Sequence, residues 1–240
     1  MSLDAQALDD YARQYYLAQI DDLDIEELQQ ALSMGPISRA VAGAERVLEM
    51  GYGTGLTVRE LQARDVPIEV LEGSPLLVEE ARRHHPGLVV HEGLFETYAP
   101  GPVYDAVLAL HIAEHVDDPR SLFAHVATWL RPGGRFVVAV PNAESLHRRL
   151  AVAMGLQERL DSKSQRDVLL GHQRVYTLDW LRSDVEAAGL RVVDELGWFI
   201  KTVPNSMMAD YDESLLRALF DVSAELPPRL LANIAVVAER

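Results

Sequence analysis

The chain has 240 residues, 48% of them apolar and 25% charged. That is ample for one large domain with a sizeable core, and it argues against a disordered or fibrous polymer. Its 22 Lys and Arg face 37 Asp and Glu, a formal charge of -15, and such a field repels phosphate backbones and anionic membrane surfaces, so neither nucleic acid nor membrane is expected as a partner. Absence of cysteine removes disulfides, thiolate zinc sites and cysteine nucleophiles together.

The start of the sequence, MSLDAQALDDYARQYY, is acidic and polar, without a basic segment leading into an apolar run, so no signal peptide is expected. No stretch reaches the roughly 18 apolar residues of a membrane span, and a soluble, cytoplasmic protein is the expectation. Residues 4–34 carry Leu8, Tyr11, Tyr15, Ala18, Ile25, Leu28 and Leu32 at helix-like intervals, with Gly35-Pro36 as the stop. They predict an N-terminal helical cap over 1–40, with 41–240 as the main domain.

From Arg46 short apolar runs alternate with amphipathic stretches: RVLEM, a helix after Gly55, IEVLE, a helix from Pro75, LVV at 88–90, YDAVLAL, a helix from Asp118, and RFVVAV. That alternation predicts an α/β doubly wound, Rossmann-like parallel sheet. Pro141-Asn142 ends the fifth strand, and a helical insertion at about 142–176 is expected to cover the mouth of the sheet. A helix at 178–188 closed by Gly189, a strand at 190–197, a helix at 212–223 and the strand NIAVVAE complete the chain.

In Val47-Leu48-Glu49-Met50-Gly51-Tyr52-Gly53-Thr54-Gly55 a strand runs into three alternate glycines and then a helix. Glycine tolerates positive φ and lets a ligand lie against the backbone, while the helix N-terminus offers free N–H groups. Glu49 suits a cationic amino group, and Glu72, at the end of IEVLE, can bond two ribose hydroxyls. After the next strand, His91-Glu92-Gly93-Leu94-Phe95-Glu96 is placed for an adenine ring held by backbone and by Leu94 and Phe95, although Phe95 reads equally as core.

VLEMGYGTG, VLEGSP, YDAVLALHIAEHVDDP and LRPGGRFVVAVPN resemble the successive motifs of class I S-adenosylmethionine-dependent methyltransferases, near ubiquinone-biosynthesis O-methyltransferases and sugar-modifying enzymes. The resemblance spans about residues 44–200. It implies a seven-stranded sheet with the last strand antiparallel. It also implies S-adenosylmethionine held by Glu49, Gly51, Tyr52, Gly53, Gly55, Glu72, Gly73, Ser74, Gly93, Leu94, Phe95 and His111. A dinucleotide loop would read GxGxxG instead.

Methyl transfer from a sulfonium is an in-line displacement that needs alignment, exclusion of water and, for a hydroxyl acceptor, a base. In HIAEH, the spacing of His111, Glu114 and His115 predicts one face of a helical turn, and His172 precedes a helix farther on. This is similar to small-RNA terminal 2′-O-methyltransferases, where an ExxEH pattern with a later histidine holds a metal; here His111 replaces the first Glu. Glu114, His115, His172 and His111 therefore form either a divalent-cation site, for an ion such as Mg, or a general-base cluster, or they brace the cofactor floor by hydrogen bonds.

In so acidic a chain His147, Arg148 and Arg149, with Arg174 and Tyr176, suggest a grip on an anionic acceptor; the other reading is a solvated face balancing nearby acids. Together these features predict O-methylation of a small polar acceptor, a sugar or related metabolite, with a homodimer as a candidate assembly. N- or C-methylation and a non-catalytic cofactor-binding subunit stand as alternatives, since the fold does not fix the acceptor.

Overall fold

The computed structural model describes residues 5–16 and 23–240. The apolar runs become the strands β1 (Val47–Met50), β2 (Ile68–Glu72), β3 (Val89–Glu92), β4 (Tyr104–Leu110), β5 (Leu130–Pro141), β6 (Arg191–Trp198) and β7 (Asn233–Glu239). They form one sheet in the order β3-β2-β1-β4-β5-β7-β6. Val47 pairs in parallel with Ile68 on one side and Ala106 on the other, whereas β7 runs antiparallel to both β5 and β6. The expected Rossmann-like sheet with a reversed last strand is therefore present.

Central strands are buried on both faces, which is why β1 and β4 are mostly apolar instead of alternating, with Glu49 and Asp105 as the exceptions. On one face Val47, Val70, Leu108 and Val137 pack with Met34 and Ile37; on the other, Leu48, Val107 and Val138 pack with Phe123, Trp129 and Leu181. Each such fully buried side chain contributes roughly 1.5–3 kcal/mol of burial free energy.

Helix starts follow local chemistry. Ser74 caps α4 (Pro75–His84), accepting from Leu77 N at 3.3 Å, with Pro75 in the first turn where no N–H is needed. Asp118 does the same for α5 (Pro119–Ala127). The remaining helices include α3 (Leu56–Gln62) after the glycines, α6 (Leu146–Ala153) and α7 (Gln165–Leu169) in the insertion, α8 (Leu178–Ala187) and α9 (Glu213–Asp221).

The N-terminal region departs from expectation. Two helices, α1 (Ala5–Tyr15) and α2 (Leu23–Ala40), are present, and α2 runs through Gly35-Pro36 instead of stopping there. Gly35, with no Cβ, precedes the proline, and the following turns close normally, Val41 N donating to Ile37 O at 3.2 Å. Ala18 lies outside the described residues. The buried side chains described on α2 are Ile25, Gln29, Ser33, Met34 and Ile37, and two of them are polar.

Candidate active site

The backbone after β1 bends sharply, with Gly51, Gly53 and Gly55 at φ of 83°, 57° and 75°, where an L side chain is strained. At Gly55 a Cβ would also collide with the Tyr52 hydroxyl. Glu72 holds the bend in place, its carboxylate accepting from Tyr52 N at 2.8 Å and Ser74 N at 2.7 Å. Tyr16 of the N-terminal segment stands over Gly53, 3.7 Å from where a Cβ would sit. Burial and the nearby Glu72 and Glu114 push its phenol up to about 12, so it stays neutral.

A cavity of about 340 Å³ opens beside this loop, lined at one end by Glu49, Gly51, Tyr52 and Gly53, and beyond them by His111, Glu114, His115 and His172. Glu49 is buried, and its Oε2 has no hydrogen-bond partner among the described residues. Burial pushes its carboxyl well up, against a hydrogen bond with Thr57, and Glu72 pushes it further. An orphaned buried carboxylate beside a glycine cradle fits the aminoacyl end of S-adenosylmethionine, whose ammonium would supply the missing partner.

The HIAEH segment forms turns, not the helical turn expected. His111 sits at φ 58°, and His115 N donates to Ile112 O at 3.0 Å. The clustering nevertheless holds: Glu114, His115 and His172 each offer a ligand atom within 4.8 Å of the others. His111 Nδ1 lies 3.3 Å from Glu114 Oε1, within ion-pair range but not aligned as a hydrogen bond, so both Glu114 oxygens lack a hydrogen-bond partner among the described residues. Burial alone would push the Glu114 carboxyl up, but His111, His115 and His172 bring it below its usual range. Burial drives His115 down to about 4 despite Glu114, leaving a neutral imidazole suited to a cation.

The insertion brings His172 to this cluster. Its ends are tied where Ala143 N donates to Tyr176 O at 2.8 Å, and its interior is pinned by Asp167. That carboxylate accepts from Arg148 Nη2 at 2.6 Å and from Ser164 N at 2.7 Å, and sits 2.9 Å from His172 Nδ1. With Nδ1–H donated to Asp167, the Nε2 lone pair of His172 is free for the cavity, the arrangement that orients metal-binding histidines. Gln173 N then donates to Glu114 O at 2.7 Å, stitching the two segments together.

Several sequence-predicted residues are not brought to the cavity. Arg149 is exposed and bonds Glu144. Arg174 donates to the carbonyls of Ala113, Val116 and Asp117, satisfying the backbone of the HIAEH turns. Tyr176 is fully buried and bonds Asp184. Arg148 reaches the lining, but its guanidinium is engaged by Asp167, Leu160 O and Ser162 O. Gly73, Gly93, Leu94 and Phe95 lie on the Glu72 side of the loop and outside this cavity's lining. His147 does face it, with Nδ1 3.0 Å from Ser145 Oγ. Sequence reasoning missed Asp167, Lys201, Gln29 and Tyr16; polar residues on the apolar stripe of α2 were the readable signal for Gln29.

A parallel sheet with a reversed last strand, a left-handed glycine bend after β1 and an acid closing β2 define a Rossmann-like fold for a nucleoside cofactor. Residues 16–195 match the family described as a methyltransferase domain, and the chain belongs to this family, among the class I S-adenosylmethionine-dependent methyltransferases.

A ubiquinone biosynthesis O-methyltransferase of Xylella fastidiosa is 30% identical over 120 residues, covering 48% of this chain and 49% of that protein. A trans-aconitate 2-methyltransferase of Methylobacterium nodulans is 30% identical over 147 residues, covering 54% and 57%. The chain thus spans about half the length of the curated relatives it matches. A methyltransferase structure from Mesorhizobium loti superposes with TM-score 0.63 at 17% identity, over 87% of this chain and 96% of that one. The 1,6-didemethyltoxoflavin-N1-methyltransferase of Burkholderia thailandensis, solved with S-adenosylhomocysteine, gives 0.62 at 16%, over 96% and 85%. At these identities the two structures speak for the fold.

Proposed function

We propose that the protein transfers a methyl group from S-adenosylmethionine to a hydroxyl of a small polar acceptor, a sugar or related metabolite, assisted by a divalent cation at Glu114, His115 and His172. One observation carries this reading: a single cavity joins the glycine bend and the orphaned Glu49 to a buried carboxylate with two unsatisfied oxygens and two imidazoles. A buried carboxylate without hydrogen bonds is costly unless a cation balances it. Two imidazoles and one carboxylate suit a divalent ion such as manganese, iron or zinc, which would lower the pKa of a bound hydroxyl.

The chain's own residues supply the rest. Glu49 takes the ammonium of the cofactor and Glu72 its ribose, while the positive-φ glycines allow the close approach. Asp167 fixes the tautomer of His172, and His111 balances the charge of Glu114. Gln29, His147, Asn205 and Asn233 give the far wall hydrogen-bonding groups matched to a polar acceptor.

Titration with S-adenosylhomocysteine and, separately, with a nicotinamide dinucleotide tests the cofactor assignment: only the first should bind, and lose affinity in Glu49→Gln. Metal content by mass spectrometry, then turnover after chelation and re-addition, tests the cation. Undiminished methyl transfer by metal-stripped protein excludes it and leaves the histidines as bases.

A further inference from the structure

The chain has twenty arginines but only two lysines, Lys163 and Lys201. Lys201 lines the cavity, and two features set it apart from the other cations there. Arg148 is ion-paired with Asp167 and Arg166 with Glu26, whereas Lys201 has no hydrogen bond or ion pair among the described residues. It is also delivered by strained backbone. Phe199, two residues earlier, holds φ 70° with its side chain fully buried, and its carbonyl accepts from Ala232 N at 2.9 Å. A bulky residue resists that conformation, and such strain gathers where a side chain must be aimed. Of the non-glycine residues at positive φ, Asp65, His111 and Phe199, one is in the cavity and another directs Lys201 into it.

The sheet order says which ligand this cation faces. β6 lies four strand spacings from β1, about 19 Å at ~4.8 Å each. The cofactor loop follows β1, so Lys201 enters from the far, acceptor side. Two further groups line the cavity there, Gln29 and His147. Gln29 is buried, lines the cavity and has no hydrogen-bond partner for Nε2 among the described residues. It sits one helical turn from Glu26, while its neighbour Gln30 reaches toward the cofactor end, Nε2 donating to Thr57 Oγ1 at 3.0 Å. His147 is neutral, brought down to about 3 by burial and by Lys201 and Arg148.

We propose that the acceptor carries a carboxylate, held by Lys201 with Gln29 and His147 donating beside it, and that this grip selects acidic over neutral acceptors. It rests on the reading of the cavity as the methyl-transfer site. One compact ammonium with three donors matches a singly charged group; a phosphate dianion would leave charge unbalanced in a cavity that already holds Glu49 and Glu114.

With only two lysines, isotope-labelled methyl groups on their amines give signals separable by a Lys163→Arg variant. Acetate, benzoate, neutral benzamide and inorganic phosphate are titrated into protein loaded with S-adenosylhomocysteine. The Lys201 signal should move saturably with the two acids and not with benzamide, while Lys163 stays still. Lys201→Met should weaken benzoate binding by about tenfold or more and leave S-adenosylhomocysteine affinity within about twofold, which also shows that the variant folds. An unmoved Lys201 signal, an equal response to benzamide, or preference for phosphate overturns the proposal. So does loss of S-adenosylhomocysteine affinity in Lys201→Met, which would assign the lysine to the cofactor's own carboxylate. If wild-type protein binds no S-adenosylhomocysteine, the cofactor reading fails by itself, and the acid titration of the cofactor-free protein still judges Lys201.

Discussion

Replacing Asp167 by Asn changes one atom, and the structure says which proton must move in response. Asp167 Oδ2 accepts from Arg148 Nη2 at 2.6 Å and from Ser164 N and Oγ at 2.7 Å each, so the Asn oxygen must take that position. The amide NH2 is then turned toward His172, where Oδ1 now lies 2.9 Å from Nδ1. Two donors cannot face each other, so Nδ1 becomes the acceptor and the proton shifts to Nε2, removing the lone pair that faces Glu114 and His115.

Loss of such an orienting partner costs about 10–100-fold in metal affinity. Weakened pairing to the buried Arg148 should cost roughly 1–3 kcal/mol, with Tm falling about 2–4 °C per kcal/mol in a domain of this size. Long-range proton–nitrogen NMR reads the tautomer directly, with or without metal. A folded Asp167→Asn protein whose His172 keeps its proton on Nδ1 would refute the reasoning. The acid limb offers a second check. Burial would push the Asp167 carboxyl up, but His172, Arg148 and Ser164 hold it well below the usual range. Its stabilisation is therefore complete above the unfolded value of about 3.9 and fades as pH drops toward the folded one; Asp167→Asn should lack that part of the acid unfolding profile.

Glu49→Gln should weaken S-adenosylhomocysteine binding by at least about tenfold without altering the circular dichroism spectrum. Because burial raises the Glu49 carboxyl, its contribution to the stability of the empty protein is full below the ordinary value of about 4.3 and is lost as pH rises through the raised one. A ligand ammonium demands the ionised form, so binding between those values should release a proton, detectable by calorimetry in buffers of different ionisation enthalpy and absent in Glu49→Gln. Gly55→Ala, at φ 75° and against the Tyr52 ring, should lose about 1–2 kcal/mol from the left-handed backbone and weaken the cofactor site, as thermal melts with and without S-adenosylhomocysteine would show. Glu114→Gln should abolish metal uptake while leaving S-adenosylhomocysteine affinity intact; retained stoichiometric metal would move the site elsewhere.

What was legible in the sequence follows from how far each interaction reaches along the chain. The strands, the glycine bend and the helix starts at Pro75 and Asp118 are set by neighbours a few residues apart, and they appear where the pattern put them. Gly35-Pro36 misled because a proline ends a helix only when the broken hydrogen bond and ring clash outweigh packing; Met34 and Ile37, buried on the sheet, keep α2 going. Spacing pointed to Glu114 and His115 and the family resemblance to His172, and the three converge although turns replace the expected helical turn.

The basic cluster shows the opposite limit. Arg148, Arg149 and Arg174 have the composition of an anion grip, yet each is engaged by a carboxylate or by backbone carbonyls within the fold. A cation's availability depends on partners 5 to 61 residues away, which no local pattern encodes. Lys201 is the converse, a lone charge in the apolar run WFIKTV that looks unremarkable in sequence. Only the left-handed Phe199 and the absence of a partner mark it out. In an acidic chain most positive charges are drawn into internal pairs, so the cation left without one is a better guide to the acceptor than the place where cations are densest.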